Sequence, residues 1–273
     1  MSLLLQVSDT HFGTEQPAVV DALVALAAQL KPALTVLSGD ITQRARHAQF
    51  QAARDFVSRL GAPFIVIPGN HDIPLINLLA RLRAPYARYE AVFGSDLEPA
   101  YRSQELLVLC VNTTRAYRHK HGEVSHAQIE RIEAQLSRAT AQQLRIVVAH
   151  QPMAVQREED AVHLVRGHAQ ALQRWASAGA DLVLGGHIHL PYVQALGNLP
   201  RPMWVVQAGT AVSTRVRRGV PNSVNVLSWG AHGGTARRCQ MAQWDFDSAQ
   251  HQFICARVTE ITPCRDGAQF NVR

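Results

Sequence analysis

Short apolar runs that each stop at a polar, metal-competent residue restrict most strongly what this chain can fold into. Residues 3–7 run into Ser8-Asp9-Thr10-His11, residues 34–37 into Ser38-Gly39-Asp40, and residues 64–67 into Pro68-Gly69-Asn70-His71-Asp72. A helical stripe follows the first run over about 17–31, with Val20, Leu23, Val24, Ala27 and Leu30 on one face, and Pro32 ends it. A second helix is expected over about 45–60, closed by Gly61. Strand, turn and helix repeated in this way are the pattern of parallel strands joined by crossover helices. Open sheets of that kind bind ligands at the carboxyl ends of their strands.

The pattern returns after an interruption. Residues 106–111 form a strand that ends in Asn112-Thr113-Thr114, and residues 144–149 one that ends in His150. Residues 182–184 lead into Gly185-Gly186-His187-Ile188-His189, and residues 204–207 into Ala208-Gly209-Thr210. Ser125 and Gln128 match a capping box for a helix to about 138, and another helix spans about 168–177 before Gly179. Between 73 and 102, Pro74, Pro85 and Pro99 break the pattern, which reads as helical pieces lying over the site. Residues 115–123 are a basic loop, 153–166 a polar loop over the site, and 223–258 antiparallel strands with alternating apolar residues. The whole of 1–273 reads as one domain, with a cap-like segment at about 73–105 and antiparallel strands at about 223–260.

Composition excludes several classes. The longest apolar stretches fall far short of a membrane span, and no basic flank precedes a long apolar run at the start. The expectation is a soluble, cytoplasmic protein with no membrane partner. Cys110, Cys239, Cys255 and Cys264 are widely spaced and contain no Cys-x-x-Cys pair, which excludes a thiolate zinc site. The net charge is +6, with only two lysines, Lys31 and Lys120, among 27 cations. Arginine suits bidentate phosphate recognition, and the charge leaves nucleic acid open as a partner. The late antiparallel strands offer an edge on which a second copy could pair.

The polar residues at strand ends form a set: Asp9, His11, Asp40, Asn70, His150, His187 and His189. Taken singly each has a plainer use, such as capping a helix, making a turn or filling the core. Taken together they are too many for one four-coordinate ion. They suit two metals that share a bridging carboxylate, and Asp40, alone at its strand end, is the natural bridge. Three oxygen and four imidazole ligands with no cysteine point to iron, manganese or zinc.

The run Asp-x-His, Gly-Asp, Gly-Asn-His-Asp, His and Gly-His-x-His resembles the calcineurin-like metallophosphoesterase superfamily over residues 5 to about 190. The resemblance implies an α/β fold, a four-layer α/β/β/α sandwich of two mixed β-sheets flanked by helices, with two metals at one edge. It implies that Asp9, His11, Asp40 and His189 hold one metal, and that Asp40, Asn70, His150 and His187 hold the other. His71 would face the phosphate as general acid or as a stabiliser of the leaving oxygen. Asp72 would either steer a neighbour as an outer carboxylate or cap a helix.

The branch follows from finer detail. Gly39-Asp40-Ile41-Thr42-Gln43-Arg44-Ala45 lacks the second Asp and the last Gly of the protein-phosphatase pattern. Gly-Asp-Ile-Thr, the compact length, and the segment from Gly209 to Asn225 resemble the class III cyclic-nucleotide phosphodiesterase and glycerophosphodiesterase branch. The expected activity is hydrolysis of a small phosphodiester. A phosphomonoesterase or nuclease on the same site is the alternative, and a non-catalytic metal-binding scaffold a further one. Asn112, Arg115, Arg118, Arg215 and the loop 153–166 are the candidate substrate contacts.

Overall fold

The computed structural model describes residues 1–231 and 237–264, and begins with the strand-and-helix alternation that the apolar runs foretell. Strand β1 (Ser2–Val7), helix α1 (Pro17–Leu30), strand β2 (Leu34–Ser38), helix α2 (His47–Arg59) and strand β3 (Phe64–Ile67) come in order. Pro17 stands in the first turn of α1, where its missing N–H costs nothing, and Lys31 leaves the helix in the left-handed region. β1, β2 and β3 pair in parallel.

Two short helices, α3 (Leu78–Arg83) and α4 (Ala87–Phe93), occupy the proline-broken segment. Then follow β4 (Ala100–Arg102), β5 (Leu106–Val111), α5 (His126–Leu136), β6 (Leu144–Ala149), α6 (His168–Ser177) and β7 (Leu182–Gly185). The chain continues through β8 (Tyr192–Leu196), β9 (Met203–Gln207), β10 (Ser223–Gly230), β11 (Arg238–Asp247) and β12 (Gln252–Ile261). The capping box is present: Ser125 Oγ accepts from Gln128 N, and Gln128 Oε1 accepts from Ser125 N at 2.9 Å. Two strands, β4 and β8, go beyond the expected elements. Both are sheet edges paired on one side only, each follows a proline, and an edge strand needs no long apolar run. The expected loop 153–166 contains a 3-10 turn, Glu158–His163. Residues 232–236, within the expected antiparallel region, and the tail 265–273 lie outside the described residues.

One six-stranded sheet runs β12-β11-β10-β1-β2-β3, the other β4-β5-β6-β7-β9-β8. In the first sheet β1, β2 and β3 form a parallel half that ends at the β3 edge and β10, β11 and β12 an antiparallel half, whereas in the second the parallel strands are central with an antiparallel strand at each edge, so both sheets are mixed. Alternation along a strand sends neighbours to opposite faces. Leu5 and Val7 join Leu23, Phe50 and Phe56 under α1 and α2, whereas Leu4 joins Leu34, Val108, Ile146 and Leu184 between the sheets. A third cluster packs Val147 and Val183 against Ile129, Ile132 and Trp175 of α5 and α6. Three apolar layers between four layers of structure make the α/β/β/α sandwich. Among the described residues no helix is long and apolar enough to cross a membrane.

Trp175 couples the outer helices to the second sheet. It is fully buried, and its Nε1 donates to the Ile129 carbonyl at 3.2 Å. Trp175→Ala is expected to cost about 3–5 kcal/mol, chiefly by cavity formation with the loss of one hydrogen bond. Denaturant unfolding measures it, and a loss below about 1 kcal/mol would contradict this packing.

Candidate metal centre and its cavity

All seven expected ligands stand at the carboxyl ends of parallel strands, and the two sheets meet there. Asp9 and His11 follow β1, Asp40 follows β2, Asn70 follows β3, His150 follows β6, and His187 and His189 follow β7. Two groups of ligand atoms lie close together. Asp9, His11, Asp40 and His189 form one, and Asp40, His150 and His187 the other, each with its atoms within 4.8 Å of one another. Asp40 belongs to both. His189 Nε2 is 3.2 Å from Asp9 Oδ1, His11 Nε2 is 3.8 Å from Asp40 Oδ2, and His150 Nε2 is 3.2 Å from Asp40 Oδ1.

The backbone here is strained in a consistent way. Asp9, His11, Asp40, His187 and His189 all take positive φ, between 42° and 74°. Among the described residues only three other non-glycine positions do so, Lys31, Ala45 and His251. Left-handed backbone costs a residue with a Cβ about 1–2 kcal/mol, and it persists where surrounding structure over-determines it. The two glycines of the Gly-Asp and Gly-Asn turns are equally constrained. A Cβ on Gly39, itself at φ +96°, would strike the His150 ring, and one on Gly69 would overlap the Asp40 main chain and carboxylate.

Hydrogen bonds leave the facing atoms free. His150 Nδ1 donates to the Ser38 carbonyl at 2.9 Å, and His189 Nδ1 donates to the Arg215 carbonyl. Each bond holds a ring with Nε2 turned to the cluster. Three buried atoms of the set, His11 Nδ1, Asn70 Oδ1 and His187 Nδ1, make no hydrogen bond, and His150 Nε2 has only its Asp40 contact. Buried polar atoms are normally satisfied. A set of carboxylate, amide and imidazole atoms left open around shared Asp40 therefore fits divalent cations.

Electrostatics agrees. Burial works against charge on Asp9 and Asp40. His189 and His150 overcome it at Asp9, which falls to about 2, and His150 and His71 hold Asp40 well below the carboxylate range. Burial pushes His11 and His187 down to about 3. The same burial is outweighed at His150, which Asp40 raises to about 9, and at His189, which Asp9 raises. Two protonated imidazoles thus balance two carboxylates, and binding of cations must displace those protons.

Asp72 caps the 3-10 turn Asn70–Asp72 through Gly69 N–H and reaches beyond it to the turn after β2. Its carboxylate accepts from the backbone N–H of Gly69 at 2.8 Å, Ile41 at 3.1 Å and Thr42 at 2.8 Å, and from Thr42 Oγ1 at 2.8 Å. It ties the turn after β2 to the turn after β3 and so sets Asp40 against Asn70. Burial and the Asp40 charge push its carboxyl up to about 7, against the pull of those backbone donors. All four bonds run into the carboxylate, so the ionised form is the one this geometry accommodates. Cations at the cluster would favour it further.

A cavity of about 470 Å³ opens over the cluster, lined by His71, His119, Lys120, His163, Arg215 and Arg217 among others. His71 Nδ1 donates to the Gln43 carbonyl at 3.1 Å, and Arg215 Nη1 approaches Nε2 at 3.2 Å. Asn112, Arg115 and Arg118 are not brought into this cavity. Asn112 Oδ1 accepts from Thr114 at both N and Oγ1 and so closes the turn after β5. Arg115 is spent on the Asn112 and Thr114 carbonyls and on Gln128, and Arg118 on Glu123. The loop 153–166 does reach the site. His163 Nδ1 lies 3.0 Å from His187 Nε2, and Asp160 holds Arg217 at 2.9 Å. His119, Lys120, Asp160, His163 and Arg217 escaped the sequence reading. Loops carry no period that marks inward residues, although three arginines so close together, Arg215, Arg217 and Arg218, were a usable signal.

Comparison with known proteins agrees with this geometry. The family model described as calcineurin-like phosphoesterase matches residues 3–191. A probable cyclic nucleotide phosphodiesterase of Synechococcus is 26% identical over 204 residues, which cover 71% of this chain and 76% of that protein. A probable glycerophosphodiester phosphodiesterase of Arcobacter nitrofigilis is 24% identical over 201 residues, 68% of this chain and 71% of that one. A dimetal phosphatase from Danio rerio shares the fold, with a TM-score of 0.66 at 12% identity over 96% of this chain and 99% of that one.

The raised imidazoles generate a pH dependence. With metal removed by chelation, His150 and His189 contribute stability that is complete below about pH 6.5 and is lost as pH rises through His150's folded value of about 9. The melting temperature of chelated protein is expected to fall from pH 6.5 to 9. A flat or rising profile would contradict the imidazolium–carboxylate arrangement.

Proposed function

The chain belongs to the calcineurin-like phosphoesterase family and is a metal-dependent phosphoric ester hydrolase, and from that premise we propose that it is a dinuclear phosphodiesterase acting on a small diester. Asp9, His11, Asp40 and His189 hold one ion, and Asp40, Asn70, His150 and His187 the other. The observation that carries this reading is the pair of ligand groups with Asp40 in common. When bound, such a pair supplies an activated water and neutralises charge on the phosphoryl oxygens.

The chain's own residues do the rest. His71 is held by Gln43 through Nδ1, which leaves Nε2 as the atom presented to substrate. An oxygen seated beside Nε2 and Arg215 Nη1 would accept from both, which suits a leaving alkoxide that needs a proton or a counter-charge. His163 steadies His187 by its contact at Nε2. Arg217, paired with Glu159 and Asp160, fastens the loop 153–166 as a wall of the cavity.

Room on both sides of His71 supports a diester over a monoester. The cavity over the cluster continues past His71 into a second space of about 250 Å³ that shares Asn70, His71, His119 and Arg215 with the first. A monoester has one substituent to place and a diester two. Cyclic nucleotides and glycerophosphodiesters are both small diesters, and the named activities of the two relatives support that class.

With manganese supplied, the enzyme is expected to hydrolyse bis(p-nitrophenyl) phosphate faster than p-nitrophenyl phosphate. A faster monoester reaction would overturn the diester reading. His71→Ala is expected to retain both metals and to lower kcat by about 10²–10⁴-fold for an alkyl diester, with a smaller loss for an aryl one. Equal losses on the two would remove the leaving-group role.

A further inference from the structure

The second space beyond His71 is only the start of a groove. It is lined by Gln43, Arg44, Ile73, Leu75, His119 and Arg215 together with Asn70 and His71. An adjoining space of about 330 Å³ shares Arg44 and Leu75 with it and adds Arg46, Pro74, Ile76, Asn77 and Arg88. One wall is cationic, and the other, from Ile73 to Ile76, is apolar. No carboxylate lines either space.

What sets this groove apart is that four arginines without a carboxylate partner line two adjoining spaces. Nine arginines elsewhere sit in ion pairs. Among the described residues Arg44, Arg46, Arg88 and Arg215 have no carboxylate partner within salt-bridge distance. Two of the four guanidinium groups are held in place by neutral groups. Arg215 Nη1 donates to Gln43 Oε1 at 2.9 Å, and Arg88 Nη1 donates to the Ala45 carbonyl at 3.0 Å. The turn that carries Arg44 is fixed as well. Ala45 is buried at φ +50°, its N–H donates to Thr42 Oγ1 at 3.0 Å, and Arg44 N donates to Gln49 Oε1 at 3.0 Å. Unpaired positive charge on a fixed scaffold beside a phosphoryl site is arranged for a second anion.

We propose that this groove is an anion subsite for the leaving group, and that the preferred substrates are phosphodiesters whose leaving alcohol carries a further phosphoryl group. The inference rests on the diester reading and on His71 marking the leaving-group side. Arg44 and Arg215 would take the second phosphoryl group, Arg46 and Arg88 would extend the subsite outward, and the Ile73–Ile76 wall would cover the apolar part of the alcohol. The second phosphate could come from a nucleic-acid strand or from a small phosphorylated alcohol.

The test compares a dinucleoside monophosphate with the same compound phosphorylated on its leaving nucleoside, and adds a short single-stranded oligonucleotide as a third arm. Wild-type kcat/KM is expected to be at least about tenfold higher for the phosphorylated compound. Arg44→Gln with Arg46→Gln is expected to bring the two rates together and to leave the unphosphorylated rate unchanged. Both residues are exposed, and the single Arg44→Gln variant, expected to lose part of the preference, serves if the double variant folds poorly. Arginine-dependent cleavage of the oligonucleotide assigns the second phosphate to a strand, and cleavage of the small compound alone assigns it to a small molecule. Both outcomes support the subsite. Equal wild-type rates on the two dinucleosides overturn the subsite and leave the diester reading standing. Hydrolysis of monoesters alone overturns the diester reading itself.

Discussion

Two carboxylates, Asp9 and Asp40, are buried where two sheets meet, and burying charge is costly unless opposite charge is supplied. Much of the local structure answers to that constraint. Four imidazoles surround the pair, and five residues of the set accept left-handed backbone to bring their side chains inward. Gly39 and Gly69 allow main chain and ring to touch where any Cβ would collide. Asp72 adds a third buried carboxylate whose role is to fasten two of the turns together. Such an arrangement is stable only on a rigid support, which the three apolar layers of the sandwich provide.

The ligands come from both sheets, so the site depends on how the sheets are held against each other. Apolar packing supplies most of the contact, through Leu4, Leu34, Val108 and Ile146. Polar ties near the site add register. Gln6 Nε2 donates to the Gly185 carbonyl at 2.9 Å, and Asn225 Nδ2 bonds both Gln6 Oε1 and the Gln207 carbonyl. His187 N donates to Asp9 at 3.0 Å, which joins the end of β7 to the end of β1. Placing the centre at a seam gathers five strand ends, those of β1, β2, β3, β6 and β7, around one ligand cluster.

The strands and helices that build this frame were legible in the sequence because each apolar run is bounded by glycine, proline or a polar residue with a definite use. β3, β6 and α6 begin and end where their patterns do. The ligand set was legible for the same reason, since a strand end has a fixed position in an α/β sheet. The outer part of the site was not. Asn112 and Arg115 follow a strand end and look like contacts, yet they are consumed by local bonds to Thr114, Gln128 and the main chain. His163 and Arg217 lie in aperiodic segments, and only the folded chain shows that one meets His187 and the other meets Asp160.

The central claim is that Asp40 is shared by two metal ions. Metal analysis of the purified protein reconstituted with manganese and then desalted tests it most directly, beside the Asp40→Ala variant. Two ions per chain in the wild type and less than one in the variant are the expected results. One ion per chain in the wild type, or a variant that keeps one site full, would contradict the shared carboxylate.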